Sequence, residues 1–228
     1  MCGRFSQRDS AEEIAERFRA AAAGRHPGGQ YNVAPTDEVS AVRDHHGERV
    51  VDTFRWGLVP SWAESQRQAA RLINARSETV ESSPAFRAAV RGRRCVIPAD
   101  GFFEFQRTDA SGRAGRPQPW FIHRGDGDTM AFAGLWAAWQ DRATESWVYS
   151  CTIVTTTPNR LMSRLHHRMP VILDPDDWSA WLDPAAALDE VRTLMQPAAD
   201  DVLDAYPVSP LGNDVRNEGP ELIERLTA

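Results

Sequence analysis

The chain has 228 residues, 42% of them hydrophobic, which is enough apolar material for a sizeable core in one domain or two. No apolar run reaches the length of a membrane span, and the start lacks both the basic-then-apolar order of a signal peptide and the Gly after Met that myristoylation needs. The net charge of -6 argues against nucleic acid only until it is divided: Asp174 to Ala228 holds 13 acidic residues and three Arg, leaving 19 acidic and 23 basic residues in Met1 to Leu173.

All 26 basic residues are Arg. A lysine Schiff base is therefore impossible, and any imine chemistry has to use the terminal amine. Arg also supplies planar, bidentate contacts to phosphate, although a GC-rich coding bias explains most of the Lys absence. The three cysteines, Cys2, Cys95 and Cys151, are far apart and form no CxxC pair. That fits a reduced, cytoplasmic protein with no zinc ribbon; neither a metal nor a cofactor is expected.

Met1-Cys2-Gly3-Arg4-Phe5 opens the chain. Removal of Met1 would leave one residue carrying an α-amine and a thiol, with reference pKa values near ~7.7–8 and ~8.5. The pair can condense with an aldehyde to a thiazolidine, or serve as base and nucleophile of an N-terminal hydrolase. Alternatively, Cys2 is a small buried hydrophobe at a tied-down terminus.

Ser10-Ala11-Glu12-Glu13 reads as a capping box, and the spacing of Ile14 and Phe18 predicts a helix from about Ser10 to Ala22. Gln30 to Pro35 reads as an ordered loop containing Asn32. Short strands are expected near Ser40 to Arg43 and Val50 to Trp56, with His45-His46-Gly47 as their turn. Trp56 to Trp62 is broken by Gly57 and Pro60, so its two Trp either plug a core edge or offer a stacking platform for bases; Trp56 is assigned to the core and Trp62 left open.

Leu72 to Thr79 begins apolar and ends polar. Asn74 and Arg76, two apart, share a strand face and suit an oxyanion or a phosphate, or are a plain polar strand end. A helix from Pro84 to Val90 would place Arg87 beside Arg91, and Arg87 is a further candidate DNA contact. In Arg93 to Phe105 two apolar strands meet at Pro98-Ala99-Asp100-Gly101. Glu104 lies in an aromatic run, where burial would raise its pKa toward the range for acid–base work, unless it faces solvent on an edge.

Residues Gln106 to Pro119 read as a long, mobile hairpin loop, and strands follow at Trp120 to His123, Ala131 to Trp136 and Trp147 to Thr155. A short helical stretch from Pro158 to Arg164 precedes His166-His167-Arg168, whose adjacent imidazoles are expected to diverge. Two acidic helices are expected between Pro175 and Met195, with Trp178 and Trp181 packing inward. The reading is one domain over residues 1–228, of antiparallel strands with peripheral helices.

Five stretches occur in one order: Met-Cys-Gly-Arg-Phe, Tyr-Asn-Val-Ala-Pro, Asn-Ala-Arg-Ser-Glu, Pro-Ala-Asp-Gly-Phe-Phe-Glu-Phe and His-His-Arg-Met-Pro. Together they resemble the SRAP family, the SOS-response-associated peptidase or abasic-site processing proteins. The resemblance runs from Cys2 to the Gly212-Asn213-Asp214-Val215-Arg216 stretch. It implies a single α+β domain with a pseudo-barrel of antiparallel strands, and covalent capture of abasic sites in single-stranded DNA by a monomer. Carried over by position, it implies Cys2 as the crosslinking residue, Asn74 steadying its amine and the sugar, Glu104 as acid–base carboxylate and His166 as the imidazole. It likewise implies Arg4, Arg76 and Arg168 as phosphate contacts, with Asn32 at the site. The family has a second aromatic beside Trp62, where this chain has Ala63. An N-terminal-nucleophile cysteine peptidase or amidohydrolase, and a non-catalytic single-strand binder using Arg and Trp62, are the competing readings.

Overall fold

A computed structural model describes residues 2–22, 24–66, 71–108 and 114–226. Its strands are β1 (Phe5–Gln7), β2 (Ala21–Ala22), β3 (Gln30–Val33), β4 (Glu38–His45), β5 (Glu48–Trp56), β6 (Asn74–Arg76), β7 (Arg94–Ala99), β8 (Gly101–Thr108), β9 (Ala114–Arg124), β10 (Met130–Gln140), β11 (Trp147–Thr156), β12 (Met169–Pro170) and β13 (Leu203–Pro207). Strands β5, β4, β7, β10 and β11 pair in that order, each pair antiparallel. β11 then returns to β5 in parallel, with Ser150 opposite Arg55 and Cys151 opposite Trp56. The expected α+β fold with a strand barrel is present, and its closing seam is parallel. Closure removes the open edges that such a sheet would otherwise expose.

A second, antiparallel sheet runs β13-β9-β8-β1-β3. One of its faces supplies Phe5, Val33, Phe102, Ile122 and Leu203 to the core that holds Phe54, Trp56, Ile97, Phe132 and Ile153. Its other face buries Phe103, Phe121 and Val208 in a smaller cluster. Phe5 sets its ring edge-on to Trp56 at 5.0 Å and to Phe132 at 6.0 Å. Burying a side chain of this size stabilises by about 1.5–3 kcal/mol, so β1 is anchored where a chain terminus would otherwise fray. Trp56 is fully buried, as expected, and Trp62 is 62% exposed.

Outside the barrel, helix α1 (Ala11–Phe18) carries the predicted capping box and buries Ile14 and Phe18. It is shorter than the sequence pattern predicts. Arg19 turns left-handed at φ 51 and ends it, and Ala21 and Ala22 pair with Val50 and Val51 on the edge of β5. Pairing to that edge overrides the helix preference of alanine. Two short helices, Trp178–Leu182 and Leu188–Thr193, follow a 3-10 turn at Pro175–Asp177, with Trp181 fully buried and Trp178 packed on the same cluster.

Two further expectations are corrected. Residues 84–90 form successive turns rather than a continuous helix, mixing bonds such as Phe86 to Ser83 and Val90 to Phe86, with Phe86, Ala89 and Val90 buried in the core. Around the long hairpin, β8 continues to Thr108 and β9 resumes at Ala114, so most of the expected loop is ladder; residues 109–113 lie outside the described part.

Candidate functional site

Residues 2–4 enter β1 between two partners. Strand pairing sets Phe5 opposite both Val33 and Phe102, and the Phe103 amide donates to the Arg4 carbonyl at 2.9 Å. Cys2 is fully buried. Its carbonyl accepts a 2.8 Å hydrogen bond from Asn74 Nδ2. Asn74 is placed there by β6, which lies parallel to β11 with Asn74 opposite Ile153. Among the described residues, the buried Asn74 Oδ1 has no hydrogen-bond partner. Burial pushes the Cys2 thiol well above its ordinary pKa, and the nearby Glu104 charge adds to the shift.

Strand alternation decides the question over Glu104. It shares a face with Phe102, the face turned to the barrel core, while Phe103 points to the opposite cluster. Glu104 is 5% exposed, and desolvation raises its pKa. His166 Nδ1 lies 4.0 Å from Glu104 Oε1. The Arg168 amide donates to the same nitrogen at 3.0 Å, and the Arg168 carbonyl lies 3.3 Å from it. Desolvation lowers the His166 pKa to about 4, so the ring is uncharged at neutral pH. Cys2, Asn74, Glu104 and His166, drawn from four separate stretches of chain, thus converge. The arrangement offers a thiol, an amide, a carboxyl group of raised pKa and a neutral imidazole at one place.

His166 and His167 do not diverge. Their rings stack at 4.2 Å with a 30° tilt, His167 on the exposed side. Since Arg168 ties His166 Nδ1 back to its own backbone, the first ring is held beside the second instead of across the strand.

The arginines part company. Arg76 and Arg87 are exposed, as is Trp62. Arg168 is buried, donating to Glu78 Oε2 at 2.9 Å and the Thr155 carbonyl at 2.6 Å, and its bond to Glu78 holds that carboxyl below its usual range. Arg4 is also buried; its Nη1 donates to Asn32 Oδ1 at 2.6 Å and to the Gly212 carbonyl at 3.1 Å. Asn32, 3% exposed, donates in turn to the carbonyls of Asp214 and Asn217. Glu78 stood within the Asn-Ala-Arg-Ser-Glu motif but was given no role, because nothing local pairs it with a residue 90 positions away. No group of three or more His, Cys, Asp or Glu able to hold a metal occurs among the described residues.

The family model for "SOS response associated peptidase (SRAP)" matches residues 1–215. The chain belongs to the SRAP family. Among SRAP relatives, the abasic site processing protein YoqW of Bacillus subtilis is 38% identical over 229 residues, covering 98% of this chain and 99% of that one. The abasic site processing protein HMCES of Gallus gallus is 34% identical over 200 residues, 77% of this chain and 57% of that longer protein. A Bacteroides thetaiotaomicron protein of known crystal structure shares the fold with a TM-score of 0.86 at 24% identity, covering 99% of this chain and 100% of that one. A Bordetella bronchiseptica protein matches with 0.77 at 28% identity, over 91% and 100%. No helix of the SRAP chain is long and apolar enough to cross a membrane, among the described residues.

Proposed function

We propose that this protein acts in the DNA-damage response by covalently capturing abasic sites in single-stranded DNA through Cys2, shielding them from cleavage. The observation that carries the reading is the convergence of Asn74, Glu104 and His166 on the Cys2 end of the chain. Once Met1 is removed, Cys2 bears a free amine beside its thiol. Met1 itself lies outside the described residues, and its removal belongs to the proposal.

The chemistry runs in balanced steps. The abasic sugar is a closed hemiacetal; His166 moves a proton at the ring oxygen as it opens to the aldehyde. The neutral amine of Cys2 adds to the aldehyde, and Glu104 supplies the proton with which the hydroxyl departs as water, leaving an imine. The thiol then adds across the C=N bond. Sulfur bonds to carbon, the thiol proton ends on nitrogen, and the thiazolidine is closed. Glu104 is suited to both transfers because its raised pKa keeps proton uptake and release accessible. Arg76, Arg87 and Trp62, all exposed, hold the flanking phosphates and bases without reading sequence.

The test is incubation with a single-stranded oligonucleotide bearing one abasic site, read on a denaturing gel and by intact mass. A denaturation-resistant adduct on protein lacking Met1 supports the proposal. Adduct formation by protein that retains Met1 refutes the thiazolidine, since no free Cys2 amine exists. Turnover of small amides with no adduct would instead assign an N-terminal-nucleophile amidohydrolase, and salt-sensitive binding with neither would assign a passive binder.

A further inference from the structure

The reacting end of the chain is held from a distance of two hundred residues. Segment 209–218 bonds to Arg4, just before β1, and to Tyr31 and Asn32 in β3. It contains a 3-10 turn, Pro210–Asn213, in which the Ser209 side chain accepts from the Leu211 amide. The segment is braced internally by Asn217 Nδ2 on the Leu211 carbonyl at 2.9 Å, and externally by Asn213 Nδ2 on the Pro117 carbonyl at 3.2 Å. Glu218 accepts from the Tyr31 amide, at the edge of β3.

One buried side chain joins this segment to the residue two positions from Cys2. Asn32 uses both ends of its amide. Oδ1 accepts Arg4 Nη1 at 2.6 Å, while Nδ2 donates to the Asp214 carbonyl at 3.1 Å and the Asn217 carbonyl at 2.8 Å. The same Arg4 Nη1 also reaches the Gly212 carbonyl at 3.1 Å, closing the loop between strand, amide and segment. Arg4 Nη1 and the Asn32 amide are thus spent within the protein, and the Arg4 guanidinium is mostly removed from solvent. A charged donor makes stronger hydrogen bonds than a neutral one, so these contacts add substantially to the backbone contacts of residues 2–4.

We propose that segment 209–218 is a strap that positions Cys2, with Asn32 as its positioning residue and Arg4 as the link to the terminus. The assignment rests on Cys2 being the reacting residue of the proposed function. It gives Arg4 and Asn32 a structural duty in place of the DNA contact that the family resemblance implies for them.

Two variants separate the parts. Asn32→Ala removes all three bonds of the Asn32 side chain and leaves Arg4 on the Gly212 carbonyl. Asn32→Asp keeps the acceptor for Arg4 but replaces the donor to Asp214 and Asn217 with a repelling oxygen. Both are measured for alkylation of Cys2 by iodoacetamide, mapped by peptide mass; for hydrogen exchange of the Phe5 amide; and for crosslinking at saturating abasic single-stranded DNA. If the strap positions Cys2, both variants alkylate Cys2 about 10-fold faster or more, exchange Phe5 faster, and crosslink at least about 10-fold more slowly with half-saturation unchanged within about twofold. Unchanged Cys2 alkylation in both folded variants overturns the proposal. Wild-type behaviour of Asn32→Asp alone overturns the role of Asn32 as positioning residue, because the Arg4 bonds to residue 32 and to the Gly212 carbonyl would then suffice without the bonds to Asp214 and Asn217. Should Asn32→Ala fail to fold, Glu218→Ala loosens the segment from Tyr31 at the surface and decides by the same alkylation readout. If wild-type protein forms no adduct, the abasic-site reading fails, yet the alkylation and exchange rates still judge the strap.

Discussion

The Asn74 side chain and the Cys2 backbone meet in one hydrogen bond, Nδ2 to carbonyl oxygen at 2.8 Å. It fixes the carbonyl side of the residue whose amine and thiol would react. Asn74→Ala is expected to leave that carbonyl without its donor and cost about 1 kcal/mol of stability. The larger effect falls on rate, because misplacing a reacting group by about 1 Å can cost on the order of 10²-fold. Crosslinking time courses at saturating DNA should slow at least about 10-fold while binding holds within about twofold. Equal losses in binding and rate would show that Asn74 serves DNA affinity instead.

Cys2→Ala removes the sulfur and keeps the amine. The stable adduct is expected to vanish. Affinity should persist, since phosphate contacts dominate it. The remaining amine can still form an imine, so borohydride should trap a complex and the strand should be nicked by β-elimination. A stable adduct without borohydride would refute the role of the thiol.

His166 and His167 now call for a joint test, because their rings stack at 4.2 Å. His166→Ala is expected to slow crosslinking and its reversal by about 10²–10⁴-fold, the usual range for a positioned acid–base group. His167→Ala removes only the outer ring and should stay within a few-fold. Thermal melts of both exclude misfolding. If His167→Ala is the slow variant, the His166 assignment fails.

The pH dependence follows from His166 and Glu104, whose Nδ1 and Oε1 lie 4.0 Å apart. His166 carries a pKa lowered to about 4, so wild-type crosslinking should show no inflection from this ring near its usual ~6.5. For stability, the unfolded state binds the His166 proton more readily between those values. Its contribution is therefore present above about pH 6.5 and lost as pH falls toward 4. Glu104, raised by burial, has the opposite sign: the folded state holds its proton longer, and stability is lost as pH rises through its folded pKa. Melting temperatures across this range should rise less steeply with pH for His166→Asn than for wild type. For Glu104→Gln the rise should steepen. The reverse order would show that the burial of these two groups is not what sets their protonation.

Arg76 and Arg168 should behave differently although both were candidates for phosphate. Arg76 is exposed, and Arg76→Gln is expected to lower single-strand affinity and reduce the salt slope by about 0.7 without affecting the melt. Arg168 is buried against Glu78 and Thr155, so Arg168→Gln should destabilise the fold. A changed salt slope for a normally stable Arg168→Gln would restore it as a phosphate contact.

Some features were decided by sequence because they depend on neighbours along the chain. The capping box at Ser10 is satisfied within four residues, whereas the pleat fixed only the alternation around Glu104 and the packing of β8 decided that its face turns inward. The ordered motifs from Cys2 to Arg216 carried the family because spacing survives where single residues vary. Tertiary structure decided the rest, for want of any local cause. The parallel seam between β5 and β11 joins residues nearly a hundred positions apart, and Ala21 and Ala22 leave their helix only because an edge of β5 is free to receive them. The fates of the arginines were set likewise. A guanidinium looks the same in any sequence; whether it meets solvent or a buried acceptor depends on which distant segment folds over it. Glu78 and Thr155 cover Arg168, and Asn32 and Gly212 cover Arg4, while Arg76 stays exposed.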